Sequence, residues 1–198
     1  MNPNLLDKKW ILPGAVSTLA LTVFLSGSTG FSWFVYHRDS ILNGQVWRLF
    51  TTHFVHTGFN HLVLNIVGLT LVFLVFGKGY SMRPWLLCLG VSMAGVSLGL
   101  LVFHPDLEWY AGFSGVLHGL MIMGIIGTMG ERRPLGYLLL VAVFLKIVFE
   151  QLGTPALKMA EFIQSPVIVD AHLYGAIAGL LFAIQERLLI LIKRKTHV

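Results

Sequence analysis

The sequence predicts an all-α, polytopic membrane protein of six transmembrane helices with both termini cytoplasmic. Three observations predict it: composition, the spacing of apolar runs, and the placement of Lys and Arg. Of 198 residues, 56% are hydrophobic and 12% charged, and the mean hydropathy is +0.77. With its 21 Gly counted and its five Tyr left out, roughly 64% of the chain is apolar, against ~45–50% in soluble domains, and charge is half the usual ~25%. One core in a soluble domain of this length could not hide so much apolar surface. The same figures exclude disorder, and a single cysteine excludes a disulfide scaffold.

A membrane helix needs ~20 mostly apolar residues. Six such runs occur, at about 10–30, 58–77, 84–103, 110–129, 135–152 and 167–190, so residues 1–198 read as a single membrane domain with no room for a soluble catalytic unit. The first run follows Lys8 and Lys9 and starts at Trp10. A cleaved signal peptide ending near Ser26-Gly27-Ser28 is the rival reading; the run is long for that role, and five more follow. The first connection, 31–57, is the longest. It carries Phe31, Trp33, Phe34, Tyr36 and Trp47 among polar residues, which suits a structured loop lying partly in the membrane interface.

Basic residues orient the spans. With the N-terminus inside, the inner segments hold Lys8, Lys9, Lys78, Arg83, Arg132, Arg133, Arg187, Lys193, Arg194 and Lys195. The outer segments hold Arg38, Arg48 and Lys158, while Lys146 falls within the fifth span. Ten against three is a strong bias. It makes the net charge of +5 a cytoplasmic flank and gives no support to nucleic-acid binding.

Polar groups inside spans are costly and are functional candidates by default. Near the second span stand His53, His56, His61 and Asn65; the fourth opens Gly112-Phe113-Ser114-Gly115, with His118 one turn on. The fifth contains Lys146, Glu150 and Gln151, and the sixth opens with Asp170 and His172. Spans two, four and six all run inward, so their N-terminal ends share one leaflet. Ser114 and His172 lie within the first two turns of their spans, no deeper than ~9–12 Å. His61 and Asn65, at i and i+4, share a helix face at similar depth. Small residues at Ala111, Gly115, Gly119 and at Ala171, Gly175, Gly179 allow the fourth and sixth helices to approach closely.

Serine becomes a nucleophile when a base takes its proton, and neutral histidine is suited to that near pH 7. Helix N-terminal N–H groups near Ser114, with His61 and Asn65 as side-chain donors, could hold the resulting oxyanion. Asp170 is a poor third member, because two residues on a helix are separated by ~200° of rotation. It suits the positive end of the sixth span, after a Ser165 cap and Pro166 at the first helical position. The reading is a Ser–His dyad.

Taken together, Trp47-Arg48, His56, His61, Asn65, Gly112-Phe113-Ser114-Gly115 and Ala171-His172-x-x-Gly175-x-x-x-Gly179 resemble the rhomboid intramembrane serine proteases. The resemblance covers most of the chain and implies a rhomboid-like bundle of six transmembrane helices. It implies a serine endopeptidase acting in or near membrane segments, with no cofactor and no metal. Carried over by motif, Ser114 is the nucleophile, His172 the base, and His61 and Asn65 the oxyanion donors. His56 supports the first loop, and the family's glycines fall at Gly112, Gly115, Gly175 and Gly179. Where many rhomboids stack a Tyr on the catalytic His, this chain has His118, which suits a structural polar contact but can also titrate.

Gly115-Val116-Leu117-His118-Gly119, Lys146-x-x-x-Glu150-Gln151 and Val169-Asp170-Ala171-His172-Leu173-Tyr174-Gly175 further resemble the rhombosortases. That subfamily resemblance implies a multi-pass protein of the bacterial inner membrane, its site facing the periplasm. Its partners would be the lipid bilayer and protein substrates with a C-terminal or single transmembrane segment, above all a Gly-rich, apolar, basic sorting tail. Hydrolysis and transfer to an amine are both open. Lys146 and Glu150 are either an intrahelical ion pair that lowers insertion cost or, with Gln151, part of a gate that reads the tail. Two other functions are weighed: a membrane zinc hydrolase using His53, His56, His61 and His172, and a non-catalytic helix-binding protein. The roles of His53 and His104 are left open.

Overall fold

A computed structural model describes residues 8–129 and 133–195; Arg132 and residues 1–7 lie outside the described residues. The described chain is almost wholly helical. In order it forms α1 (Ile11–Leu25), α2 (Gly27–Phe34), β1 (Tyr36–His37), α3 (Arg38–Leu42), α4 (Arg48–Thr51) and a 3₁₀ turn, Thr52–Phe54. There follow α5 (Phe59–Phe76), α6 (Met82–Phe103), β2 (Trp109–Tyr110), α7 (Ser114–Thr128), α8 (Arg133–Gln151), α9 (Thr154–Ile163) and α10 (Val169–Lys195).

Helices α5, α6, α8 and α10 are long and apolar enough to cross a membrane. Their outward faces are greasy: Leu71, Leu74 and Val75 on α5 and Tyr137, Leu138, Val141 and Phe144 on α8 are exposed. A face of that kind is stable only in an apolar solvent. The all-α polytopic membrane class predicted from composition is the observed one.

Two of the six predicted spans differ from expectation. The run 10–30 is not one rod: α1 stops at Leu25 and α2 leaves at 116°. The break falls at Ser26-Gly27, where the Ser26 hydroxyl donates back to Val23 O (2.6 Å) and Gly27 takes φ +63°, a left-handed conformation that glycine tolerates. The run 110–129 also yields a shorter helix. Residues Trp109–Tyr110 pair antiparallel with Tyr36–His37, and α7 has only 15 residues, about 22 Å against a hydrocarbon core of ~30 Å. Hydropathy alone cannot separate extended from helical apolar chain, and the decision here is made by the first loop, which offers β1 as a partner.

That loop is structured throughout, as expected. Buried Arg48 donates to Val35 O (2.7 Å), Ser32 O (2.9 Å) and Gln45 Oε1 (2.7 Å). Thr51 donates to Phe34 O (2.8 Å), and Trp47 Nε1 to Trp33 O (3.2 Å). The carbonyls that end α2 are thereby satisfied without water.

Helix α7 is apolar all round, which marks a buried helix. It lies among α5, α6, α8 and α10, with Val116, Leu120, Met123 and Ile125 essentially inaccessible. Its contact with α10 is made by backbone. A Cβ on Gly175 would collide with Gly115 O, one on Gly179 with Gly119 O, and one on Gly119 would lie 2.7 Å from Gly175 O. The expected glycine interlock is therefore present from Gly115 onward. Ala111 precedes the helix and lines a cavity instead.

Two further corrections concern the end of the chain. Helix α10 starts at Val169 rather than 167. Ser165 does not cap it; its N–H closes the end of α9 on Ala160 O (3.1 Å), while Asp170 does occupy the first turn of α10. Between the fifth and sixth predicted spans lies a further helix, α9. Its ten residues are too few and too mixed to register as a span.

Candidate active site

Ser114 is the first residue of α7, and His172 is the fourth of α10. The predicted depth of Ser114 therefore does not arise from counting turns along a helix. It arises because irregular chain enters the bundle before α7 begins. Such backbone is tolerated at membrane depth only where protein or a cavity surrounds it. Here Gly112 N donates to Thr52 O (3.2 Å), Thr52 Oγ1 donates to Tyr110 O, and Tyr110 OH donates to Gly112 O (3.0 Å).

His53 holds the same segment from below. Fully buried, it places Nε2 3.1 Å from Met93 O and Nδ1 3.4 Å from Gly112 O. Burial pushes its imidazole down to about 4, so the ring is neutral. His53 Nε2 also lies 3.1 Å from Ser97 Oγ. That second Ser–His contact is structural: both groups are buried away from the cavity, and Ser97 donates to Leu49 O (2.6 Å).

A cavity of about 570 Å³ opens over Ser114. His61, Asn65, His118, Lys146, Glu150 and His172 line it on the bundle side; Asp106, Trp109, Met159, Ile163 and Pro166 line the rim. Ser114 Oγ is 2.9 Å from His172 Nε2. The α7–α10 interlock at Gly115 and Gly175 makes this approach possible, because each side chain sits one turn or less from the point where the two backbones touch.

His61 and Asn65 are brought to the same cavity. Asn65 Nδ2 donates to His61 O (2.8 Å), and Thr57 Oγ1 lies 3.2 Å from His61 Nδ1. The His61 ring lies against Gly112: a Cβ there would sit 2.8 Å from Cε1 and Nε2, and φ is +127°, so both space and backbone demand glycine. His56 supports this corner, its ring edge-on to His61 at 5.0 Å and its Nδ1 3.2 Å from Phe54 O. Burial holds it neutral, down to about 3.

His118 stacks on His172, with centroids 4.3 Å apart and planes at 19°. Its Nδ1 donates to Ser114 O (2.7 Å), and its Nε2 accepts from Lys146 Nζ (3.0 Å). Lys146 and Glu150 form the predicted pair at 2.6 Å. What the sequence did not reveal is the other carboxylate oxygen, Glu150 Oε2, which lies 2.9 Å from His172 Nδ1. Gln151, grouped with them as a gate residue, is exposed and lines no part of the cavity. Asp170 faces away, 3.6 Å from His104 Nε2, which also meets Tyr174 OH (2.9 Å). His104 thus ties the end of α6 to α10.

The histidines considered for zinc do not gather; His53 is committed to Met93 O and Gly112 O. Among the described residues, His118, Glu150 and His172 offer ligand atoms within 4.8 Å of one another. A cation already serves that cluster, since Lys146 Nζ contacts both His118 Nε2 and Glu150 Oε1.

Residues 43–187 match the rhomboid domain. The chain belongs to the rhomboid family. Curated relatives include rhomboid protease GlpG of Salmonella paratyphi A, Salmonella typhi and Salmonella newport. Each is 29% identical over 188 residues, covering 90% of this chain. This rhomboid spans 63% of the length of those relatives. In this rhomboid, Ser114 and His172 meet where glycines bring α7 and α10 into backbone contact.

Proposed function

We propose that the protein is an intramembrane serine endopeptidase in which Ser114 is the nucleophile and His172 the general base. The observation that carries this is the 2.9 Å contact between Ser114 Oγ and His172 Nε2 inside a cavity. Ser114 Oγ attacks the scissile carbonyl carbon as its proton passes to Nε2. The oxyanion is received by the unpaired N–H groups at the start of α7 and by donors from His61 and Asn65. The C–N bond breaks as the imidazolium returns the proton to the leaving nitrogen. Water, losing one proton to His172, then attacks the acyl carbon; the ester C–Oγ bond breaks, His172 returns that proton to Ser114 Oγ, and the acyl group leaves as a carboxylic acid.

The proposed substrate is an exported bacterial protein whose C-terminal tail is Gly-rich, then apolar, then basic. Two features support it: the rhombosortase-like run of Lys146, Glu150 and the segment 169–175, and apolar cavity walls from Leu64, Leu117, Met159 and Ile163, which suit a membrane-embedded segment. The bacterial relatives and the apolar helices support an inner-membrane location, and the bias of Lys and Arg supports a cavity on the periplasmic side.

Coexpression with a secreted reporter bearing such a tail tests the proposal. Processing by wild type, its loss in both Ser114→Ala and His172→Ala, and labelling of wild type alone by a serine-directed fluorophosphonate are expected. Processing that survives both substitutions would overturn the mechanism. Processing of a reporter with an ordinary transmembrane anchor but not of the tailed one would overturn the substrate. Mass spectrometry of the new C-terminus separates a free acid, expected for hydrolysis, from an amide formed by transfer.

A further inference from the structure

We infer that Glu150, held in place by Lys146, is the positioning residue of His172, so that the working unit is Ser114–His172–Glu150 rather than a bare Ser–His dyad. The inference rests on the reading of Ser114 as nucleophile and His172 as base, and deepens it.

An ion pair formed only to ease insertion of α8 would need one carboxylate oxygen, and Glu150 Oε1 meets Lys146 Nζ at 2.6 Å. It would leave the second oxygen free to turn toward water or headgroups. Instead Oε2 crosses from α8 to α10 and meets His172 Nδ1 at 2.9 Å. The two groups are sequestered together, their side chains 11% and 8% exposed. The geometry is that of an imidazole held by a carboxylate on one nitrogen while the other faces a serine hydroxyl.

Proton positions around this network are consistent in one arrangement only. Lys146 has three donors and no acceptor, so Glu150 Oε1 and His118 Nε2 must both accept from it. His118 then carries its proton on Nδ1, where Ser114 O is waiting at 2.7 Å. Ionised Glu150 can only accept, so His172 carries its proton on Nδ1, leaving the Nε2 lone pair facing Ser114 Oγ. That is the tautomer a general base requires. The stacked His118 ring fixes the plane of His172. Lys146 and Glu150 cancel in charge, so the carboxylate is kept ionised at membrane depth without a net charge there.

A fluorophosphonate probe tests this on the full-length protein in micelles, by separating the rate of Ser114 modification at saturation from the apparent probe affinity. Glu150→Gln is nearly isosteric but no longer dictates the His172 tautomer. It should slow modification by up to ~10⁴-fold, the effect of neutralising the carboxylate of a serine-protease triad, with affinity within about threefold of wild type. Because this change removes the counter-charge of Lys146, the double variant Lys146→Met/Glu150→Gln removes both charges and should show the same rate loss. Wild-type modification rates in either folded variant would overturn the inference. Failure of the underlying reading is distinguishable, since modification would then persist in Ser114→Ala.

Discussion

Gly115→Ala tests whether backbone contact between α7 and α10 is what places Ser114 against His172. An alanine Cβ at 115 would lie 2.6 Å from Ala171 O and 3.0 Å from Val96 Cγ2, whereas ordinary contact begins at 3.4 Å. Relief requires the helices to part by ~0.8 Å, because a backbone carbonyl cannot rotate aside as a flexible side chain can. His172 is one residue from Ala171 and moves with it. The 2.9 Å contact to Ser114 Oγ would then stretch to ~3.7 Å, outside hydrogen-bond range. A misplacement of ~1 Å costs ~10²-fold in rate, so kcat should fall by 10–100-fold with KM little changed. Stability opposes this only weakly: alanine gains ~1 kcal/mol of helix propensity over glycine, and overpacking costs ~1–3 kcal/mol. The variant should therefore fold, with a net loss of ~0–2 kcal/mol. Proteoliposome cleavage of the tailed reporter measures the first quantity and chemical denaturation in micelles the second. Gly90→Ala on α6 is the control, since nothing lies within 4 Å of its Cβ. A Gly115→Ala enzyme with wild-type kcat would refute the reasoning.

Gly112→Ala should abolish cleavage while Ser114 and His172 remain, because a side chain there must displace the His61 ring and hold φ +127°; fluorophosphonate labelling falling with cleavage is the expected signature, and an active variant would contradict it. Stability should also depend on pH through His53 and His56, held neutral at about 4 and about 3 against 6.5 unfolded. Between those limits the unfolded chain binds more protons, so their contribution is complete above pH ~6.5 and is lost as pH falls, by up to ~2.7 kcal/mol per pH unit for two protons. Unfolding midpoints from pH 8 to 5 should be flat and then decline, with a shallower decline in His53→Gln. An unchanged slope in that variant would show that His53 does not titrate on unfolding.

What the sequence determined by itself was the solvent and the set of polar residues that gather at one cavity. Long apolar runs fix a membrane class because a lipid-embedded backbone must satisfy itself by helices. Ser114, His172, His61, Asn65 and the glycines stood out because polar or minimal residues at membrane depth need a reason to be there. The tertiary structure decided what periodicity cannot encode. The start of α7 at Ser114 depends on a strand pairing between Tyr36 and Tyr110, 74 residues apart. The break after Leu25 depends on the conformation of Gly27, and α9 is too short to announce itself. The pair Lys146–Glu150 was legible as an i, i+4 contact, which is a property of one helix. That its second oxygen reaches His172 depends on how α8 packs beside α10, and only the assembled bundle sets that distance.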